Sequence, residues 1–189
     1  MKTFSTFLKQ FANVPMESMN ALMDLFTAVH LKKNDYLVQE GEHAKSLYFV
    51  ESGVLRAFYQ NPKGEEFNKL FFVNPSIVGA YSALITGEVN KINIQCLTDC
   101  VILKANFSKI LELYDLHPGI ERLNRVIAED FFVKKERREM SLVMNDASDR
   151  YEMFQEEFSG LENRITQYHI ASYLGITPTQ LSRIRAKRN

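Results

Sequence analysis

The chain changes its hydrophobic period twice. Near the start, Phe4, Phe7, Leu8 and Phe11 recur at i, i+3, i+4 and i+7, one face of an amphipathic helix. After Pro15, Met19, Leu22, Met23 and Phe26 follow with helical spacing, so the region 1–30 reads as helical. From 31 to 105 short apolar runs at 47–50, 54–59, 67–73, 92–97 and 101–103 read as strands. Gly41, Gly53, Asn61-Pro62-Lys63-Gly64, Asn74-Pro75 and Thr86-Gly87 break these runs about every ten residues, which predicts an antiparallel barrel or sandwich. A helical period returns at Phe107, Ile110, Leu111 and Tyr114, and Pro118-Gly119 reads as a break. Ile120, Leu123, Ile127 and Phe131 then form a heptad-like stripe. The stripe suits a coiled-coil seam between two chains, or a helix packed on its own barrel. The run KKERRE at 134–139 reads as a solvated face, and NDASDR at 145–150 as a hinge. The expected units are 1–115, 116–145 and 146–189.

The last stretch, YHIASYLGITPTQLSRIRAKRN at 168–189, reads as two short helices around a tight turn. Ala171 is small enough for close helix approach, and Gly175 suits a turn through positive φ. Ile170, Leu174, Ile176, Leu181 and Ile184 supply the apolar contacts between the helices. Thr177 fits an N-cap, Pro178 the first helical position, and Gln180 completes a capping box. The exposed side of the second helix is predicted to carry Thr179, Gln180, Ser182 and Arg183, followed by Arg185, Lys187 and Arg188. That helix start, with free backbone donors and a positive dipole end, suits a phosphate. Arg183 is the expected reader of guanine and Gln180 of adenine, with the basic tail on phosphates. The competing reading is a helical hairpin that mediates only protein contacts.

Composition adds little for the chain as a whole. Its 189 residues are 46% hydrophobic and 24% charged with a formal net charge of zero, which is ordinary for a globular protein. The charge is unevenly placed, because no acidic residue occurs from Asn163 onward. The basic patch therefore coincides with the one element shaped for a major groove. No apolar run approaches the ~20 residues of a membrane span, and no signal-peptide pattern opens the chain. Membrane contact is not expected, and a cytoplasmic location is. Cys96 and Cys100 fall in a run read as one strand, about 13 Å apart, which predicts two reduced thiols rather than a disulfide. His30, His43, His117 and His169 are scattered, and neither a metal motif nor a reactive constellation is evident. No enzyme activity and no cofactor are predicted.

With these residues in place, the chain resembles the CRP/FNR family of bacterial transcription regulators over nearly its whole length. GEHAKSLYFVESGVLRAFY is similar to that family's Gly-x6-Tyr barrel pattern, and TPTQLSR to its Glu-x-x-Ser-Arg reader. Ser182 and Arg183 match the reader, while Thr179 replaces its glutamate. The resemblance implies an α+β fold: an antiparallel β-roll like a cyclic-nucleotide-binding domain, flanked by helices, then a long dimerisation helix and a helix-turn-helix. It implies double-stranded DNA and a second copy of the chain as partners, and RNA polymerase as a further one. The family's nucleotide cassette maps to VGAYSALITGEVNKINIQCL, with Gly79, Ala80, Tyr81, Ser82, Asn90 and Lys91 as the corresponding effector-pocket positions. Ala80 stands at the place of the family's ribose-binding glutamate and Asn90 at that of its phosphate-binding arginine. Losing the charged partner of a buried anion costs about 2–5 kcal/mol, so cyclic AMP is not expected to bind. The family usually continues into a β-hairpin wing, whereas this chain stops six residues after Arg183. The expected function is sequence-specific DNA binding in transcription regulation. The alternative is a small-molecule sensor that signals through protein contacts, with a vestigial reader.

Overall fold

The computed structural model describes residues 2–187. Two short helices, α1 (Lys2–Leu8) and α2 (Met16–Asp24), precede eight strands. These are β1 (Thr27–Leu31), β2 (Tyr36–Val38), β3 (Ser46–Ser52), β4 (Val54–Gln60), β5 (Glu66–Val73), β6 (Ser76–Val78), β7 (Asn93–Cys96) and β8 (Cys100–Asn106). Helix α3 (Tyr81–Thr86) lies between β6 and β7, and α4 (Phe107–Glu112) follows β8. Then come α5 (Pro118–Met144), α6 (Ala147–Glu157), a 3-10 turn (Leu161–Asn163), α7 (Gln167–Leu174) and α8 (Pro178–Ala186).

The strands form two antiparallel four-stranded sheets, ordered β1-β8-β3-β6 and β2-β7-β4-β5, which face each other as a roll. Residues 46–50 of β3 are all buried, because both faces of the strand are covered. Tyr48 and Val50 point into the roll with Leu55, Phe72, Ile94 and Ile102. Phe49 points the other way, into a second cluster with Phe4, Leu22, Leu103, Ile110, Ile120 and Leu123. A third cluster lies outside the other sheet, where Val54, Phe71 and Leu97 meet Phe154, Leu161, Tyr173 and Leu174. The roll is thus sandwiched between its own helices on one side and the C-terminal helices on the other.

The break expected at Pro118-Gly119 falls between α4 and α5, and Pro118 sits in the first turn of the 27-residue α5, where its missing N–H costs nothing. Three expectations are corrected. Residues 27–31 are not helical: they form β1, which pairs with β8 from Thr27↔Lys104 to Leu31↔Cys100. Arg138 leaves the solvated face expected for 134–139 and lies 4.0 Å over the Tyr173 ring. Cys96 and Cys100 do not share a strand: Cys96 closes β7 and Cys100 opens β8. The turn between them folds the chain from one sheet to the other, and the Cys100 thiol donates to Thr98 O at 3.2 Å and Val54 O at 3.6 Å.

The stripe on α5 also needs correcting. Ile120, Leu123 and Ile127 are buried inside this chain, packed with α1, α2 and the roll. That is the alternative reading of a helix on its own barrel, and it leaves these three no surface for a partner. Phe131 is at the edge of this packing and is exposed. Past it the helix overhangs the roll and turns apolar residues to solvent. Phe132 is 65%, Met140 58%, Val143 82% and Met144 78% exposed.

Candidate nucleic-acid interface

Helices α7 and α8 meet at the tight turn that the sequence predicts. Gly175 ends α7 in the left-handed region at φ 69°, and Ile176 N–H donates to Ala171 O at 3.0 Å. Ala171, Leu174 and Leu181 are fully buried between the helices. Thr177 caps α8: its Oγ1 accepts from Gln180 N–H at 3.2 Å, while Gln180 Oε1 accepts from Thr177 N–H at 2.9 Å. The capping box is complete and Pro178 occupies the first turn.

Thr177, Thr179, Gln180, Ser182, Arg183 and Lys187 are exposed, and Arg185 is half-buried. Arg188 lies outside the described residues. Gln180 has two competing roles. Its Oε1 is committed to the cap, whereas pairing with adenine through both amide atoms needs that oxygen. Arg183 is exposed and takes part in no ion pair among the described residues.

How α7 is held decides where α8 points. Strand β5 is an edge of its sheet, and α7 covers that edge. Ser172 bridges to the edge backbone, accepting from Asn68 N–H at 2.9 Å and donating to Glu66 O at 3.0 Å. Asn68 Nδ2 donates to His169 O at 2.9 Å. Beneath them Arg56, 4% exposed, donates to Glu66 Oε2 at 2.5 Å and to Gln95 Oε1 at 2.7 Å. It also stacks 3.8 Å over Phe58 and sits 3.3 Å from His169 Nδ1. Burial first, and the Arg56 charge second, push the His169 imidazole down to about 4. His169 is therefore neutral at neutral pH, with Nδ1 the acceptor and the proton on Nε2.

An aromatic contact completes the dock. Phe71 meets Tyr173 at 5.2 Å and Phe158 at 5.8 Å. Burying one such ring contributes about 1.5–3 kcal/mol as an upper bound. On the far side, two arginines satisfy the last carbonyls of α7. Arg138 donates to Tyr173 O, and Arg150 Nε donates to Leu174 O at 3.0 Å. Cations at this end also complement the helix dipole. Sequence reasoning misses Arg56, Asn68, Arg138, Arg150 and Ser172. The one local signal is Arg56, a charge inside the otherwise apolar run of β4.

The six effector-pocket positions are not gathered around one polar cavity. Ala80 is packed in the roll interior, Ser82 and Lys91 face solvent, and Tyr81 lies edge-on to Phe107 at 6.0 Å. Asn90 is buried, but its amide is committed to the backbone of its own loop and of the segment after β2. Nδ2 donates to Gln39 O at 2.8 Å and to Ile92 O at 2.5 Å, and Oδ1 accepts from Ile92 N–H at 3.1 Å. Gly79 and Tyr81 alone of the six line a small apolar cavity of about 110 Å³ between the N-terminal helices, the roll and α5.

Residues 28–117 match the family model for the cyclic nucleotide-binding domain. The chain is 27% identical over 184 residues to the transcriptional activator protein FnrA of Stutzerimonas stutzeri, covering 89% of this chain and 73% of that protein. Among solved structures, FixK2 from Bradyrhizobium japonicum superposes with a TM-score of 0.75 at 18% identity, covering 86% of this chain and 83% of that one. The c-di-GMP-responsive regulator CLP of Xanthomonas campestris gives 0.71 at 16% identity, covering 92% and 91%. At these identities the structural matches speak for the fold.

Proposed function

We propose that the chain is a transcription regulator of the CRP/FNR type, in which α8 reads the major groove of double-stranded DNA while α7, clamped on the roll, sets its angle; the match to the cyclic nucleotide-binding domain and the likeness to FnrA support this reading. The carrying observation is the capped, acid-free α8, whose exposed face bears Thr179, Gln180, Ser182 and Arg183. Arg183 reads a base edge, while Arg185, Lys187 and Arg188 meet phosphates, which position without specifying. Thr177 and the free N–H groups of the first turn take one phosphate at the helix start.

Two copies act together on half-sites about 34 Å apart. The overhanging half of α5 supplies the pairing surface, with Phe131 at its inner end and Phe132, Met140, Val143 and Met144 beyond. These side chains are left exposed by this chain, unlike Ile120, Leu123 and Ile127. In this reading the protein works in the cytoplasm, where its DNA and RNA polymerase are. Cyclic AMP is not its effector, since Ala80 offers no carboxylate and Asn90 has no amide atom to spare.

Selection of bound sequences from a random DNA pool tests the reading. A two-fold symmetric site whose binding weakens steeply with salt is expected. No enrichment, or a salt slope near zero, refutes it. Calorimetry with cyclic AMP and cyclic GMP tests the effector statement, and micromolar affinity for either refutes that.

A further inference from the structure

The core on the outer face of the β1-β8-β3-β6 sheet is incompletely filled. A cavity of about 110 Å³ lies where α1 and α2 meet the sheet and α5. Leu47 and Ile77 border it from the sheet, Phe4, Leu8 and Leu22 from the N-terminal helices, and Ile127 from α5. Of the cluster inside the roll, Phe72 alone reaches it. We propose that this cavity binds an uncharged one-ring molecule of the phenol class, and that the bound ring ties the N-terminal helices to α5. The binding does not depend on how α8 is read. Only its consequence for the pairing of two copies rests on the function given above.

The wall decides the class of ligand. Among the described residues it carries no charged side chain, so an anion such as a nucleotide would enter without a counter-charge. A dry cavity of about 150 Å³ lined by Leu, Ile and Phe takes benzene. This one is lined alike and is smaller, so it admits one ring with a small substituent and no second ring. The polar side chains on the wall are Tyr81 and Asn124. Asn124 Nδ2 donates to Tyr114 Oη at 2.7 Å, while its Oδ1 has no partner among the described residues. That oxygen can accept from the hydroxyl of a phenol. Tyr81 and Phe131, 44% and 39% exposed, are the exposed members of the wall and mark where a ring enters.

The cavity also sits where α5 changes role. Asn124, Ile127, Ala128 and Phe131 border it at i, i+3, i+4 and i+7, so one face of the helix closes the site. Beyond Phe131 the helix overhangs the roll. A ring held in the cavity adds packing under the last turns of α5 that the roll supports, and so opposes their local opening. Steadying the root of the overhang favours the pairing surface that begins there.

The experiment titrates the full chain, carbon-13 labelled at its Leu and Ile methyls, with benzene, phenol and benzoate. Benzene and phenol are expected to shift the methyls of Leu8, Leu22, Leu47 and Ile127 saturably, with nuclear Overhauser contacts from ring protons to those methyls. Benzoate should shift none of them. With phenol at about ten times its Kd, the melting temperature should rise by about 3–6 °C, and hydrogen exchange should slow across residues 124–131. Asn124→Leu should weaken phenol by about threefold or more and spare benzene. Ala128→Leu should fill the cavity and abolish binding of both, its own melt showing that it folds. If that variant does not fold, the contrast with benzoate in the wild type still decides. Unshifted methyls, equal shifts with benzoate, or ring contacts elsewhere overturn the site. Binding that leaves exchange in 124–131 unchanged overturns the tie to α5. A chain that sediments as a monomer with and without phenol refutes the pairing reading instead, and the methyl shifts still decide the site.

Discussion

Acidification should release the reader, and the size of the effect follows from His169. The unfolded imidazole titrates near 6.5, whereas in the fold it is pushed down to about 4. Between those values the unfolded chain binds more protons, so stability rises with pH across the window. The contribution of His169 is present in full above about pH 6.5 and is lost as pH falls toward 4. At about 1.36 kcal/mol per pH unit, the step from pH 7 to 5 removes at most about 2 kcal/mol. The ring is half-buried, so solvent screening discounts this to roughly 1–2 kcal/mol. The mechanism is local. Neutral Nδ1 faces Arg56 Nη1 at 3.3 Å and Asn68 Nδ2 at 3.4 Å, both donors. Once protonated, Nδ1 becomes a third donor among them, beside a buried guanidinium. Urea melts of the wild type and His169→Gln, taken at each pH from 7 to 4.5, isolate the effect, and a proton NMR titration assigns it. The variant should lack about 1–2 kcal/mol of the wild-type pH dependence. A His169 that titrates at 6 or above, or identical pH profiles for the two proteins, refutes the reasoning.

Three further outcomes follow from the same geometry. Thr177→Ala should cost about 1 kcal/mol of stability by breaking the capping box, read by urea melting, and no loss would argue against the cap. Arg183→Ala should relax base preference at one position of the selected site, whereas Lys187→Ala should weaken all sequences alike and flatten the salt slope; equal behaviour of the two in competition binding contradicts their assigned roles. Val143→Asp should shift sedimentation toward the monomer, since it puts a charge on the overhang of α5, while an unchanged dimer would place the pairing surface elsewhere.

What could be read from sequence alone was local. Helix and strand periods mark most elements, because side-chain alternation depends on neighbours a few residues away. The capping box and the Gly175 turn were legible for the same reason, since Thr177, Pro178 and Gln180 satisfy one another. The likeness of the barrel segment to a cyclic nucleotide-binding domain was legible in a short motif as well. Contacts between distant segments were not. The stripe Ile120, Leu123, Ile127 has the same spacing whether it faces a partner or its own roll, and only packing against Phe4, Leu22 and Phe49 assigns it. Cys96 and Cys100 read as one strand, and only the turn between the sheets assigns them to β7 and β8. The clamp of Arg56, Asn68, His169 and Ser172 joins residues more than a hundred positions apart. Its members pair only after both sheets and α7 are in place, because a buried guanidinium selects its partners by distance in space, and no local pattern encodes that distance.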